Sequence, residues 1–269
     1  MERTIQKRLS VGGGSWVTFD VYGEPDAPGL VVVPGGLSDA HAWRDVATAV
    51  HAWPSVTVVN RRGRAPSGPL TGAYSLRTEV DDLGAVLDAL AGTETLFGWS
   101  YGGLIALLAA DVRALRQVIA YEPVMTPFGV HALPELKAAE AAADLDATVV
   151  TVLRRISGLD TDQVEALRAD RRGWAALCRL SAPAHAELAA LNAAPPPDRI
   201  ARRADRVDLI VGERNRGTPP YGTSFDDVVQ HVPHAEVHPL PGQGHLAHRE
   251  APAELARLLD TLATTAGRA

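Results

Sequence analysis

The chain has 269 residues, 46% of them hydrophobic and 22% charged, which fits one α/β domain or one domain carrying a sizeable insertion. Its net charge of −6 argues against nucleic acid as the main partner, and no run approaches the ~20 apolar residues of a membrane span. The first eight residues lack the apolar core of a signal peptide, and the single cysteine, Cys178, has no partner for an internal disulfide, so a cytoplasmic location is expected.

Short apolar segments at 15–22, 30–33, 56–60, 95–97, 117–121, 207–211 and 235–238 read as strands. Several are continuously apolar rather than alternating, as in strands covered on both faces. Helical patterns lie between them at 39–50, 76–91, 101–110 and 253–262. This β-α alternation predicts a mostly parallel, doubly wound sheet with right-handed crossovers, its first strands forming an antiparallel edge.

In chain order, the first segment able to carry chemistry is Val33-Pro34-Gly35-Gly36-Leu37, where a strand runs into a glycine turn. Acyl transfer needs two N–H donors aimed at a developing oxyanion, and the Gly36 amide is the candidate here. Next come Arg61, Arg62 and Arg64, read as a solvated basic loop, with reception of an anionic substrate as the alternative.

Gly98-Trp99-Ser100-Tyr101-Gly102 is the most informative stretch. It joins a predicted strand to a predicted helix, and a serine in so sharp a turn needs minimal neighbours two residues before and after it. The turn exposes the Ser100 hydroxyl as a nucleophile. The helix start offers the Tyr101 amide as the second oxyanion donor.

Between Glu122 and Ala204 the alternation breaks into an Ala-rich helical region, with candidates at 133–144, 148–156, 161–169, 173–180 and 183–191. It ends in Pro195-Pro196-Pro197, a stiff connector. Such an insertion is expected over the C-terminal edge of the sheet, as a lid of residues 123–204 on a core of 1–122 and 205–269. Cys178 lies on one predicted helical face there and reads as inert packing.

After the last predicted strand, Pro241-Gly242-Gln243-Gly244-His245 places a histidine on a glycine-flanked loop. His245 is the candidate general base for Ser100. His231, His234, His238, His245 and His248 cluster in sequence, but their spacing matches no closed zinc pattern and no metal is expected.

At this point the chain resembles the α/β-hydrolase superfamily, from Leu30 to about Leu262. The resemblance rests on the elbow Gly98–Gly102, the turn Pro34-Gly35-Gly36, the Gly-Gln-Gly-His245 segment and the helical insertion. Asn60-Arg61-Arg62-Gly63-Arg64-Ala65-Pro66-Ser67 is similar to the family's D-x-R-G-x-G-x-S loop, departing from it at Asn60 and Ala65. The resemblance implies an eight-stranded sheet, a Ser–His–acid triad and no cofactor. A serine rather than an aspartate at the elbow disfavours epoxide hydrolases and haloalkane dehalogenases.

The acid departs from the pattern. Where the family usually carries an aspartate after the seventh strand, this chain has Asn215. Glu122, at the tip of the strand beside the serine strand, is the first candidate for a displaced acid, and its Tyr-Glu-Pro setting resembles a subgroup lacking the usual aspartate. Glu213 comes next, then Asp226 and Asp227, and a triad without any acid stays open.

The expected activity is hydrolysis of an ester, thioester or lactone of small size by Ser100, His245 and Glu122, with Gly36 and Tyr101 as oxyanion donors. Met125, Phe128 and Trp174 are candidate pocket residues. The alternatives are lyase, cyclase or cofactor-free oxygen chemistry on the same fold, or a ligand-binding relative.

Overall fold

The computed structural model describes residues 4–90, 92–193 and 197–266. Ala91, at the end of one predicted helix, and Pro195 and Pro196 of the predicted connector lie outside them.

Eight strands form one sheet in the order β1-β2-β4-β3-β5-β6-β7-β8. They are β1 Ile5–Val11, β2 Ser15–Gly23, β3 Leu30–Val33, β4 Ser55–Asn60, β5 Thr95–Trp99, β6 Leu115–Tyr121, β7 Ala204–Gly212 and β8 Glu236–Leu240. Only β1 escapes sequence reading, because it is a mostly exposed edge strand, Ile-Gln-Lys-Arg-Leu-Ser-Val, with no continuous apolar run. β2 runs antiparallel to β1 and β4, and the remaining pairs are parallel. The antiparallel edge is therefore β1 and β2, while β3 lies inside the sheet between β4 and β5.

Every residue of β3, β4 and β5 is buried, and the two-residue strand period divides their side chains between two cores. Val31, Val33, Leu96, Val118, Leu209 and Val211 face one core, with α2 (Leu76–Ala89) and α3 (Tyr101–Val112). Leu30, Val32, Phe97, Ile119 and Ile210 face the other. There they meet α1 (Arg44–Ala49) and the C-terminal helix Pro252–Ala266.

Between β6 and β7 lie α4 (Leu133–Ala141), α5 (Leu145–Thr151), α6 (Thr161–Ala169), α7 (Arg171–Leu180) and α8 (Ala184–Leu191). Asp144 ends the first predicted helix early, because its side chain accepts from the Ala147 amide and starts α5 instead. α4 and α8 contribute Leu136, Leu188 and Leu191 to the larger core. α5, α6 and α7 enclose a small core of their own, Val149, Val164 and Trp174. After β7 come α9 (Tyr221–His231) and, beyond β8, α10 (Ala247–Glu250) and α11 (Pro252–Ala266). No described helix is long and apolar enough to cross a membrane.

Candidate active site

Ser100 is the single residue between β5 and α3, held at φ 55° and ψ −122°, a conformation that non-glycine residues rarely adopt. Its backbone is fixed on both sides. Its N–H donates to Tyr121 O at 2.9 Å, and its carbonyl accepts from the Gly103 and Leu104 amides. A Cβ on Gly98 would lie 2.3 Å from Gly102 O, and one on Gly102 would lie 2.1 Å from Val33 O. Both glycines are therefore steric requirements of the turn.

The predicted oxyanion turn lies directly on this elbow. A Cβ on Gly35 would come within 2.9 Å of Ser100 Cβ and 2.8 Å of Trp99 O. Among the described residues, neither the Gly36 amide nor the Tyr101 amide donates a hydrogen bond within the protein. Both are free for a ligand.

Glu122 follows β6 directly, at φ 40°, and is fully buried. Its Oε2 lies 2.6 Å from His245 Nδ1. Its Oε1 accepts from the Gly212 amide at 2.9 Å, and the Asn215 side chain donates to Oε1 and Oε2 at 3.0 and 2.9 Å. Against a carboxylate acceptor, Nδ1 carries the imidazole proton and Nε2 keeps its lone pair. Asn215 thus occupies a supporting place, as a donor to the carboxylate. The other acid candidates are elsewhere: Glu213 accepts from the Gly242 amide at 2.7 Å, and Asp226 and Asp227 are exposed on α9.

The His245 ring packs against two aromatic side chains. Tyr221 stacks on it at 3.5 Å and 9°, and Trp99 packs against it, tilted, at 4.8 Å. Trp99 Nε1 donates to His245 O at 2.8 Å, and Tyr121 donates to the Gly244 carbonyl. Burial pushes the Tyr221 hydroxyl up to about 12, so it stays a neutral donor or acceptor toward Ser157, 2.9 Å away. Ser100 and His245 are only 8% and 9% exposed, and Ser100 Oγ makes no hydrogen bond among the described residues.

Tyr221 gave no signal in the sequence: it follows two prolines at a helix start, and its approach to His245 is purely tertiary. His248 is one of several histidines in this part of the sequence. It stacks on Trp43 at 4.5 Å and 6° and packs against Trp99, tilted, at 4.5 Å. Burial, then the neighbouring His245 and Arg249, push its pKa down to about 3.

The arginine loop corrects the expectation of a solvated surface. Arg61, Arg62 and Arg64 are 3%, 2% and 1% exposed. Arg62 is bidentate to Asp82, Arg64 is bidentate to Glu187, and Arg61 bridges Glu79 and Glu187. Burial opposes the charge on Glu187, but Arg61 and Arg64 outweigh it and hold its carboxyl below the ordinary value. With every charge paired inside, the loop is not a receptor for an anionic substrate.

The histidine-rich stretch disperses. His231 bonds Pro197 O, and His238 joins Asp208 and Glu236, whose ligand atoms lie within 4.8 Å of one another. Arg206 already bridges Asp208 and Glu236 there. Of the candidate pocket residues, Met125 and Phe128 belong to the main core, whereas Trp174 belongs to the small inserted core. Cys178 also packs against that core, and desolvation raises its thiol pKa.

A serine elbow at the C-terminal edge of this sheet, in this strand order, is the α/β-hydrolase arrangement. The alpha/beta hydrolase family model matches residues 30–258, and the chain belongs to that family. It is similar in fold to an alpha/beta hydrolase from Sphaerobacter thermophilus DSM 20745 (23% identity, 95% of this chain and 99% of that one, TM-score 0.77). An enol-lactonase from Burkholderia xenovorans LB400 (18% identity, 96% and 100%, TM-score 0.78) also superposes. So does an esterase from Rhodococcus sp. ECU1013 (18% identity, 97% and 99%, TM-score 0.70). At these identities the likeness concerns the fold. No curated protein matches the chain in sequence.

Proposed function

We propose that the chain is a serine hydrolase of small esters, thioesters or lactones, working through an acyl-enzyme. The observation that carries this reading is the 2.6 Å pairing of Glu122 Oε2, at the tip of β6 beside the Ser100 strand, with His245 Nδ1 on the loop after β8. Ser100 Oγ attacks the carbonyl carbon while His245 Nε2 takes its proton. The Gly36 and Tyr101 amides hold the oxyanion. The imidazolium then returns the proton to the leaving oxygen or sulfur, and water, activated by the same nitrogen, releases the acyl group. Glu122 keeps the ring in the productive tautomer and stabilises its positive form. Catalytic hydrogen bonds to the serine commonly tighten only once substrate is bound.

Residues 123–204 act as the cap in this reading, and 1–122 with 205–269 as the core. The enol-lactonase and esterase named above support the reaction class, and the residues here need no cofactor to perform it. The test is stoichiometric phosphonate labelling of Ser100 together with turnover of a short p-nitrophenyl ester. Ser100→Ala should lose both and His245→Ala should lose turnover. Labelling without turnover of any ester, thioester or lactone would favour lyase or cyclase chemistry instead.

A further inference from the structure

Resting on that reading, we infer that Arg61 is a positioning residue for the oxyanion turn, and that the inserted helices reach the turn through it. Arg61 follows β4 and is shut off from solvent, so its donors all act inside the protein. Nε donates to Pro34 O at 2.8 Å and Nη2 to Gly35 O at 2.9 Å. One planar guanidinium thus grips two successive carbonyls of the turn.

That grip fixes the direction of the Gly36 amide. The Gly35–Gly36 peptide is trans, and in a trans peptide the C=O and N–H point opposite ways. With Gly35 O drawn onto Arg61, the Gly36 N–H faces away from the guanidinium. A cation on the carbonyl oxygen also polarises the peptide and strengthens the donor at its other end. The turn needs such a clamp. It contains two glycines in succession, and the space a Gly36 side chain would fill is empty, so packing there does not define its conformation.

Arg61 is itself held from two sides. Its Nη1 donates to Glu79 Oε1 of α2 at 2.8 Å and to Glu187 Oε1 of α8 at 2.7 Å. Tyr74 donates to Glu79, and Arg64 is bidentate to Glu187. The last inserted helix is therefore one bond from the group that aims the oxyanion donor. A lysine, as a point charge on a flexible stem, cannot span two carbonyls and two carboxylates together.

The experiment compares an ester with its thionoester, whose sulfur is a poor acceptor and gains little from an oxyanion hole. The variants are Arg61→Lys and a charge-compensated Arg61→Met with Glu79→Gln, which leaves Arg64 and Glu187 paired. Since loss of a whole oxyanion donor costs about 10²–10³ in rate, misaiming one should lower kcat for the ester about 10–10²-fold with KM little changed. The thionoester rate should fall much less, so the ester preference shrinks. Glu187→Gln should shrink it in the same direction. If the folded compensated variant keeps the wild-type ester preference, Arg61 has no positioning role, although the hydrolase reading stands. An unchanged preference in Glu187→Gln removes the link to the inserted helices. Wild type without Ser100-dependent turnover overturns both readings.

Discussion

Asn215 donates its side-chain amide to both carboxylate oxygens of Glu122. In the proposed triad, the position that resembles the family's usual acid site thus supplies a donor, and the carboxylate stands at the tip of the neighbouring strand. The exchange is self-consistent: a carboxylate at 215 would lie against Glu122, and like charges so close cannot both ionise freely.

Glu122→Gln should lower kcat by about 10⁴, as replacing a triad acid by its amide does in a chymotrypsin-type enzyme, with the circular dichroism spectrum unchanged. Asn215→Ala removes both contacts to the carboxylate and should cost about tenfold, a limited loss because the Gly212 amide still holds it. The double exchange Glu122→Gln with Asn215→Asp should recover part of the loss. Equal collapse in Glu213→Gln would sink the assignment of Glu122.

The stacking of Tyr221 on His245 predicts a separate effect. Tyr221→Phe keeps the aromatic face and should leave kcat close to wild type. Tyr221→Leu removes an aromatic contact of about 0.5–1.5 kcal/mol and should lower kcat several-fold with little change in KM. Steady-state kinetics of the two variants decide it. A fall in Phe equal to that in Leu would mean that the hydroxyl bond to Ser157, rather than the stack, matters.

His248 makes stability depend on pH in a defined direction. Its folded pKa is pushed down to about 3 from an ordinary 6.5. Between these values the unfolded chain binds a proton that the folded chain refuses, so stability falls as pH drops through the window. Above 6.5 this histidine adds no slope. Tm measured across the window should therefore decline more steeply in wild type than in His248→Leu. Parallel curves would show that the buried imidazole is not the responsible group.

Two adjacent glycines should respond differently to the same methyl group. Gly35→Ala drives a Cβ into Trp99 and Ser100, and should cost about 1–3 kcal/mol in urea unfolding, as overpacking does. Gly36→Ala meets nothing within 4 Å and should unfold at nearly the wild-type midpoint. Reversal of that order would show that the turn does not lie against the elbow.

The α/β class, seven of the eight strands, the Ser100 elbow, and the segments that carry Gly36, Glu122 and His245 can all be read along the chain. These features are local: continuous apolar runs mark buried strands, and Gly98 and Gly102 are forced by backbone crowding within a few residues of Ser100. The acid stays open in the sequence among Glu122, Glu213, Asp226, Asp227 and no acid at all, because the choice depends on strand order. β6 lies beside β7, which brings Glu122 to Gly212 and Asn215 and within reach of His245. The arginine loop reads as solvated because its partners are on helices brought to it by the fold. Its partners Glu79, Asp82 and Glu187 lie as many as 126 residues away in the chain, and charges so distant in sequence are joined only by folding. Tyr221 over His245 is likewise a tertiary decision, since a stacking contact has no sequence period to announce it.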